Sequence, residues 1–244
     1  MKISLIIPAY NEELCIKKCL ESAIKHSDGK FHEIIVVDNA STDKTREYAL
    51  SVSGVKVVHE SKKGLTRARQ CGLEASTGDI IAYIDADTLL PPHWVSKVEK
   101  IFNEQPNTVC LSGPYRYHDG IKWKNNVMHL VWWLTAPFTY RIVGYMVLGG
   151  NFVARKDALL AMGGFDQSID FYGEDTDIAR RLSKHGKVVF DMSFFIHSSS
   201  RRFSEEGLIK TNITYALNFL WPILFKRPFT KKSTDIRKLS RTNK

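Results

Sequence analysis

The sequence lacks several features that define other classes of protein. No apolar run reaches the roughly 18 to 20 residues that a membrane-spanning helix needs, and residues 1–8 do not have the layout of a signal peptide. The four cysteines fit neither a disulfide framework nor paired C-x-x-C zinc ligands. They are Cys15, Cys19, Cys71 and Cys110. We therefore expect reduced thiols in a cytoplasmic protein, either free or at the cytoplasmic face of a membrane.

Glycine is absent from residues 8–12, where the first predicted strand ends. The glycine-rich motifs of dinucleotide-binding folds and of phosphate-binding loops are therefore missing at this point, which disfavours both classes. A hydrophobic content of 43% and a charged content of 25% are ordinary and exclude a disordered or collagen-like chain. A length of 244 residues suits one large α/β domain with appendages.

Positive charge is concentrated at the end of the chain. Residues 226–244 contain eight Lys or Arg and one acidic residue, Asp235, so that this segment carries +7 of the net charge of +9. Such a basic tail can bind anionic lipid or nucleic acid, or it can be a solvated end. The rest of the chain is nearly neutral, and its charge does not indicate binding to nucleic acid.

Hydrophobic periodicity predicts alternating strands and helices. Strands are expected at residues 2–8, 33–38, 55–59, 79–85, 108–117 and 145–154, with short extended pieces at 187–190 and 194–197. Helices are expected at residues 11–27, 42–53, 64–76, 91–104, 156–162, 174–184 and 208–225. The aromatic segment 121–140 is ambiguous between a helix and a membrane-contacting surface. The alternation predicts a mostly parallel sheet flanked by helices.

Two aspartates follow the apolar strand that ends near residue 85. Asp85 and Asp87 lie two positions apart and therefore share one side of an extended chain. Open α/β sheets bind ligands at the carboxyl ends of their strands, and paired carboxylates suit Mg²⁺ or Mn²⁺. The pair alone is also common in solvated turns.

Asp38 ends the second predicted strand as Asp85 ends the fourth. Its carboxylate can accept an N–H from a base such as uracil, or it can belong to a turn in which Ser41 or Thr42 caps the next helix.

Glu174 and Asp175 begin another predicted helix. They can complement the helix dipole, or Asp175 can accept a proton from an attacking hydroxyl.

His197 closes the last extended piece and precedes three serines and two arginines. It can be a structural histidine, or it can be a further metal ligand with Arg201 and Arg202 near a phosphate.

Taken together, these motifs resemble the family 2 glycosyltransferases over about residues 3–202. The matching stretches are Ile6-Ile7-Pro8-Ala9-Tyr10-Asn11-Glu12, Val36-Val37-Asp38-Asn39-Ala40-Ser41-Thr42-Asp43, Gly64-x-x-x-Ala68-Arg69, Asp85-Ala86-Asp87, Gly149-Gly150-Asn151, Gly163-Gly164-Phe165-Asp166 and Gly173-Glu174-Asp175-x-Asp177. The resemblance implies a single α/β domain of the GT-A type at residues 1–204. Its nucleotide-binding half would be 1–117 and its acceptor half 118–204, followed by a helix at 205–225 and the basic tail at 226–244.

The resemblance also implies roles for individual residues. Pro8, Tyr10 and Glu12 would line the nucleoside pocket, Asp38 would contact the base, and Arg69 would lie near the base or diphosphate. Asp85, Ala86 and Asp87 would handle the ribose and a divalent metal, Mn²⁺ or Mg²⁺, with His197 as a second metal ligand beside Asp87. Gly150 and Asn151 would face the donor sugar, Glu174 would hold the acceptor or sugar, and Asp175 would be the base.

The function that follows is an inverting, metal-dependent transfer of a sugar from a nucleotide diphosphate, most simply a UDP-sugar, to a hydroxyl. The acceptor would be a glycan or a polyprenyl-linked lipid. The apolar segment 205–225 and the basic tail suggest peripheral contact with a membrane. Two alternatives remain: a sugar-nucleotide pyrophosphorylase, and a non-catalytic protein that binds sugar nucleotides.

Overall fold

The computed structural model describes residues 1–169 and 173–201. The strands are β1 (Ile3–Ala9), β2 (Phe31–Asn39), β3 (Val55–Glu60), β4 (Ile80–Ile84), β5 (Thr108–Ser112), β6 (Tyr115–Tyr117), β7 (Asn151–Arg155), β8 (Lys187–Phe190) and β9 (Ile196–Ser198). The helices are α1 (Ile16–His26), α2 (Thr45–Leu50), α3 (Leu65–Ala75), α4 (Trp94–Glu104), α5 (Lys122–Val143), α6 (Lys156–Ala161) and α7 (Glu174–Leu182). The helix predicted at 208–225 and the basic tail lie outside the described residues.

Seven strands form one sheet in the order β3-β2-β1-β4-β7-β5-β8. All neighbouring pairs are parallel except the two that involve β7, which runs antiparallel to β4 and β5. Strands β6 and β9 form a second, two-stranded sheet. The predicted α/β fold with a mostly parallel central sheet is confirmed. Because β7 and β8 belong to the predicted acceptor half, both predicted halves share this sheet.

The core consists of two apolar layers, one on each face of the sheet. Successive side chains of a strand point to opposite faces, so Leu5 and Ile7 pack with α1 and α4, whereas Ile6 packs with α3 and α7 on the other face. All five side chains of β4 are buried. Helices cover both faces of the sheet, and the carboxyl ends of the parallel strands lie together at one end of it.

Several predicted boundaries were wrong because a turn or a close contact ends the element. The first helix begins at Ile16 rather than at residue 11, since Asn11 has a positive φ of 53°. The strand expected at 108–117 divides at Gly113, where a Cβ would overlap with the carbonyl oxygen of Phe194. The strand expected at 145–154 begins only at Asn151, because Gly149 and Gly150 form a turn.

The ambiguous aromatic segment is a helix of 22 residues, α5. It packs against the body of the protein through a small apolar cluster that includes Ala136, Met146 and Phe190. Within the ranges 1–169 and 173–201, no helix combines the length and the apolar character needed to cross a membrane.

Candidate active site

The loops after β1 and β2 are tied together at the carboxyl edge of the sheet. Asn11 donates its N–H to Oγ of Ser41 at 3.1 Å, and its Oδ1 accepts the N–H of Thr42 at 2.8 Å. The N–H of Glu12 donates to Oγ1 of Thr45 at 2.7 Å. Ser41 and Thr42 therefore join two loops instead of capping a helix as expected. The result is a fixed wall at this end of the sheet.

Asp38 lies at this end of the sheet, and two contacts fix the orientation of its carboxylate. It is 3% exposed, its Oδ1 accepts the N–H of Ser41 at 3.2 Å, and Nδ1 of His59 lies 3.1 Å from its Oδ2. Each oxygen retains a second lone pair for a ligand. Pro8 pairs with Val37 beside it in the sheet.

Tyr10, one residue beyond β1, lies near the same end of the sheet. The ammonium group of Lys63 is 3.7 Å from the centre of its ring. An aromatic face and a cation are thus held close to one another, as a nucleoside with an attached phosphate would need.

Asp85 and Asp87 follow β4 on one side of the chain, while Ala86 between them is buried in the core. This alternation agrees with the sequence expectation. The carbonyl of Asp85 accepts the N–H and the hydroxyl of Thr88, which fixes the turn. Burial, followed by the charge of Asp87, raises the pKa of Asp85 to about 6 against the opposing effect of Arg69. Burial and the neighbouring carboxylate together therefore outweigh the effect of Arg69 on Asp85.

Arg69 on α3 joins these aspartates to the start of α7. It is 1% exposed, and its Nη1 lies 3.7 Å from Oε1 of Glu174 and 3.7 Å from Oδ1 of Asp175. These distances describe ion pairs rather than hydrogen bonds. The guanidinium also lies over the ring of Phe152, at 5.7 Å.

Glu174 and Asp175 differ in their access to solvent. The side chain of Glu174 is 10% exposed and that of Asp175 is 32% exposed. Burial and the charge of Asp175 raise the pKa of Glu174 well above its ordinary value, which favours its protonated form. Burial also raises the pKa of Asp175, but Arg69 opposes this effect. Asp175 is thus the carboxylate of the pair that is more accessible to a substrate.

The glycine turn before β7 closes around these carboxylates. A Cβ on Gly149 would overlap with Nη2 of Arg69 and Oδ1 of Asp175, and a Cβ on Gly150 would overlap with Oδ2 of Asp85. Gly150 also donates its N–H to the hydroxyl of Tyr115 at 2.9 Å. Glycine is needed here because the backbone passes directly against the acidic groups.

Arg201 brings a second cation to the cleft from the end of the described chain. Its Nη2 donates to Oε2 of Glu12 at 2.8 Å and to Oδ2 of Asp87 at 2.9 Å. Asp119 anchors the preceding segment, because its carboxylate accepts the hydroxyl of Ser199 and the N–H of Ser200, both at 2.6 Å. The Arg-Arg pair after the last strand pointed to Arg201, but Tyr115 and Asp119 carried no motif that identified them.

Asn151 does not face the cleft, contrary to the sequence expectation. It is fully buried, its Oδ1 accepts the indole N–H of Trp94 at 3.1 Å, and its Nδ2 donates to the carbonyls of Gly113 and Phe194. Both amide hydrogens are therefore used inside the protein. The physical reason is its position on β7, where the side chain after Gly150 points into the apolar layer.

His197 pairs through its backbone with Leu89, two residues beyond Asp87, and its role as a metal ligand stays a prediction. Its ring lies against Phe195, with 5.5 Å between the ring centres, and burial together with Arg116, His118 and His26 lowers its pKa. Within the part of the chain that the structure describes, no group of three or more His, Cys, Asp and Glu side chains is arranged to hold a metal ion.

The carboxylates of Asp85 and Asp87 nevertheless fit a divalent cation. Mg²⁺ is commonly bound through one or two carboxylates, with water and substrate phosphates completing its coordination. Burial is the main cause of the raised pKa of Asp85, and the charge of Asp87 adds to it; a cation between the two carboxylates would reduce that repulsion.

The predicted residues thus fall into two groups along one edge of the sheet. Pro8, Tyr10 and Asp38 lie at the ends of β1 and β2. The other group gathers around the carboxylates and consists of Glu12, Arg69, Asp85, Asp87, Gly150, Glu174 and Asp175.

Comparison with known proteins supports this picture. The family model described as "Glycosyl transferase family 2" matches residues 4–162. The putative glycosyltransferase EpsH of Bacillus subtilis is 32% identical over 120 residues, which are 48% of this chain and 35% of EpsH. The dolichol-phosphate mannosyltransferase of Pyrococcus furiosus is 38% identical over 108 residues, 42% of this chain and 31% of that protein. The matched part thus spans about a third of these curated relatives.

Solved structures share the fold. The mannosyltransferase PcManGT of Pyrobaculum calidifontis, in complex with GDP-Man and Mn²⁺, has a TM-score of 0.70 at 19% identity and is matched over 98% of this chain and 67% of its own. The glucosyl-3-phosphoglycerate synthase of Mycobacterium tuberculosis, in complex with Mn²⁺, UDP-glucose and phosphoglyceric acid, has a TM-score of 0.60 at 23% identity, over 90% and 79% of the two chains. At these identities the similarity establishes the GT-A fold.

Proposed function

Because the chain belongs to glycosyl transferase family 2, we propose that it transfers a sugar from a nucleotide diphosphate to a hydroxyl of a glycan or lipid-linked acceptor, with inversion. The observation that carries this proposal is the meeting of Asp175, Arg69 and Asp85 at one edge of the sheet. Asp175, a partly exposed carboxylate, would act there as the base beside Asp85 and Asp87, which suit a metal ion bound to a diphosphate.

In this proposal the nucleoside binds at the ends of β1 and β2. Asp38 would accept an N–H from the base, which favours a UDP-sugar because uracil offers such a group, and Tyr10 would contact the nucleoside. PcManGT and the mycobacterial synthase are described with GDP-Man and with UDP-glucose, so their complexes support a nucleotide-sugar donor without deciding the base.

The diphosphate would lie next to Asp85, Asp87 and Arg201. Asp85 and Asp87 would hold a divalent cation, Mn²⁺ or Mg²⁺, whose chemistry is to stabilise the negative charge of the leaving diphosphate. The relatives described with Mn²⁺ support such an ion. Arg201 would add a second positive charge from the protein itself.

The acceptor hydroxyl would meet Asp175. As its oxygen bonds to the anomeric carbon, the carboxylate of Asp175 takes the hydroxyl proton, and the bond between that carbon and the diphosphate oxygen breaks on the opposite face. One such displacement inverts the configuration. Glu174, held protonated by burial, would donate a hydrogen bond to the sugar or acceptor, and Arg69 would keep Asp175 ionised.

The test uses water as a universal acceptor, since the natural one is not identified. UDP-sugars and GDP-mannose are incubated with the protein and Mn²⁺, and the released sugar is followed by NMR in its first minutes. An α-linked donor should release the β-anomer. Release of the α-anomer would overturn inversion, and release of pyrophosphate from a nucleoside triphosphate and a sugar phosphate would instead indicate a pyrophosphorylase.

Asp175→Asn should lower turnover by about 10²–10⁴-fold, the usual contribution of a general base, while donor affinity stays within a few-fold. Asp177→Asn is the matched control. It lies on the same helix, but its carboxylate pairs with Arg180 and Arg181 and does not reach the cleft. Equal turnover in the two variants would show that Asp175 is not the base. Donor binding without turnover in the wild-type protein would favour a non-catalytic binder.

The location of the reaction is also a proposal. The apolar segment 205–225 and the +7 charge of residues 226–244 support peripheral attachment at the cytoplasmic face of a membrane. The acceptor would then be a lipid-linked sugar or a polyprenyl phosphate.

A further inference from the structure

Helix α5 presents an apolar surface to solvent. Nine of the fourteen exposed large apolar side chains in the described ranges lie between residues 121 and 142. Phe138 and Ile142 are each 68% exposed, and Trp133 is 60% exposed. An exposed apolar surface of this extent on a globular protein marks an interaction site.

These side chains form one continuous face. Seven of them recur every three or four positions, the spacing that brings residues to the same side of a helix. We call them the outer stripe: Trp123, Val127, Leu130, Val131, Leu134, Phe138 and Ile142. The opposite face contains Met128, Ala136 and Tyr140 and packs on the protein, where Tyr140 donates its hydroxyl to the carbonyl of Val188 at 2.8 Å.

The polar groups beside the outer stripe are satisfied within the helix. Thr135 donates its hydroxyl to the carbonyl of Val131 at 2.7 Å, and Thr139 donates to that of Thr135 at 2.9 Å. Hydroxyl groups bonded in this way require no water. The outer face can therefore enter an apolar medium without leaving these donors unpaired.

Charge indicates which apolar medium fits. The 22 residues of α5 include no Asp or Glu, and Arg141 lies near the end of the helix. Exposed tryptophans are typical of surfaces that lie at the boundary between lipid headgroups and acyl chains. An apolar face without acidic residues and with a cation near one end complements an anionic lipid surface better than it complements an apolar protein groove.

Both ends of α5 lead into the candidate active site. At the first end, Asn125 donates its amide to the carbonyl of Asp119 at 2.6 Å, and Asp119 anchors Ser199 and Ser200 beside Arg201. At the other end, the chain runs from Gly144 to the glycine turn that touches Asp175. A surface bound to α5 would therefore lie next to the cleft.

We propose that α5 lies flat on an anionic membrane through its outer stripe and so brings the cleft to a lipid-linked acceptor. Membrane binding through this face stands on the exposed side chains alone, whereas the lipid-linked acceptor rests on the proposed function. The stripe is a second contact, distinct from the basic tail.

The experiment is co-sedimentation of the full chain with vesicles of equal parts phosphatidylglycerol and phosphatidylcholine. The stripe variant carries Leu130→Ser, Leu134→Ser and Phe138→Ser. The matched control carries Ile24→Ser, Leu50→Ser and Leu160→Ser, which replace exposed apolar side chains on α1, α2 and α6. We expect the stripe variant to bind at least tenfold more weakly than the wild type, and the control to bind within twofold.

Trp123, the tryptophan of the outer stripe, provides a direct readout. Lipids brominated on the acyl chain should quench wild-type fluorescence, and Trp123→Phe should remove part of that quenching. Equal vesicle binding by the stripe variant and wild type would show that only the tail binds lipid and would overturn the proposal.

Two other occupants of the stripe would also overturn it. If residues 202–225 cover this face, the stripe variant should melt at a lower temperature without a change in vesicle binding. If a second copy covers it, the wild type should be a dimer that the stripe variant turns into a monomer. Donor hydrolysis by the stripe variant in the absence of vesicles is measured in parallel. If the stripe variant keeps donor hydrolysis but loses vesicle binding, the loss concerns the membrane contact and not the proposed catalytic function.

Discussion

The guanidinium of Arg201 lies 2.9 Å from the carboxylate of Asp87, which precedes it by 114 residues. The same nitrogen also donates to Glu12. A cation of the protein thus occupies the carboxylate that is expected to help hold a divalent metal. A metal ion bound as proposed would therefore compete with Arg201 for Asp87 until a diphosphate offered the arginine another partner.

Arg201→Gln should therefore bind Mn²⁺ more tightly than the wild type when no nucleotide is present. Removing a competing half-buried ion pair of about 1–2 kcal/mol corresponds to roughly a tenfold change in affinity. Free Mn²⁺ can be measured by electron paramagnetic resonance. The control is Arg116→Gln, whose guanidinium lies over the ring of Phe195 at 3.6 Å. Identical Mn²⁺ affinity in wild type and Arg201→Gln would rule out the competition.

Asp85 should make the protein less stable as the pH rises. Its pKa in the fold is raised from 3.8 to about 6, so its contribution to stability is complete below the unfolded pKa and is lost as the pH rises through about 6. Asp85→Asn removes this loss. The variant should be more stable than the wild type by about 1–3 kcal/mol near pH 7.5 and nearly equal near pH 4. Urea unfolding without metal measures the difference.

Asp191→Asn is the control of opposite sign. Despite its burial, hydrogen bonds from Ser193 and the charge of Lys97 hold the pKa of Asp191 below its ordinary value. Its stabilising effect is present above the unfolded pKa and is lost as the pH falls, so this variant should be less stable near pH 7.5. A loss of stability in both variants at that pH would contradict the charge balance proposed for the cleft.

Gly149→Ala should impair turnover more than folding. The new Cβ would displace the ends of Arg69 and Asp175, which are side-chain atoms that can shift by a small distance. We expect turnover to fall at least tenfold, since small misplacements of a reacting group are costly. Kinetics and thermal unfolding are measured on the same samples.

Gly54→Ala provides the contrast. Gly54 has a φ of 79° but no atom within 4 Å of an added Cβ. This substitution should cost about 1–2 kcal/mol of stability through backbone strain and leave turnover unchanged. If Gly149→Ala behaved like Gly54→Ala, close packing at the turn would have no part in catalysis.

Arg69 should set the pH at which Asp175 becomes active. Burial raises the pKa of Asp175 and Arg69 lowers it, so Arg69→Met should raise the pKa further. The acid limb of kcat/KM for donor hydrolysis would then move to higher pH, while Arg69→Lys would move it less because a charge remains. Loss of a buried partner also costs about 3–5 kcal/mol, so folding is checked at each pH. If the acid limb of kcat/KM did not shift, Arg69 would not control the pKa of the catalytic base.

The local pattern determined most of the fold. Alternating apolar runs and amphipathic segments identified the strands and helices of the sheet, because burial on two faces leaves a periodic signal in neighbouring residues. The positions of Asp38, Asp85 and Asp87 also followed from the sequence, since each stands at or just beyond the end of an apolar strand. The boundaries that were missed, at Asn11 and Gly149, depend on contacts with residues far along the chain.

The sequence by itself determined which residues stand at the ends of strands, and so where an acidic site can form. The tertiary structure alone decided that Asn151 turns into the core, that His197 lies with Arg116, and that Arg201 reaches Asp87. The physical reason is the distance along the chain over which each effect acts. Periodicity and turn chemistry act between near neighbours, whereas the direction of a side chain and the partner of a charge depend on how distant segments pack once the sheet has formed.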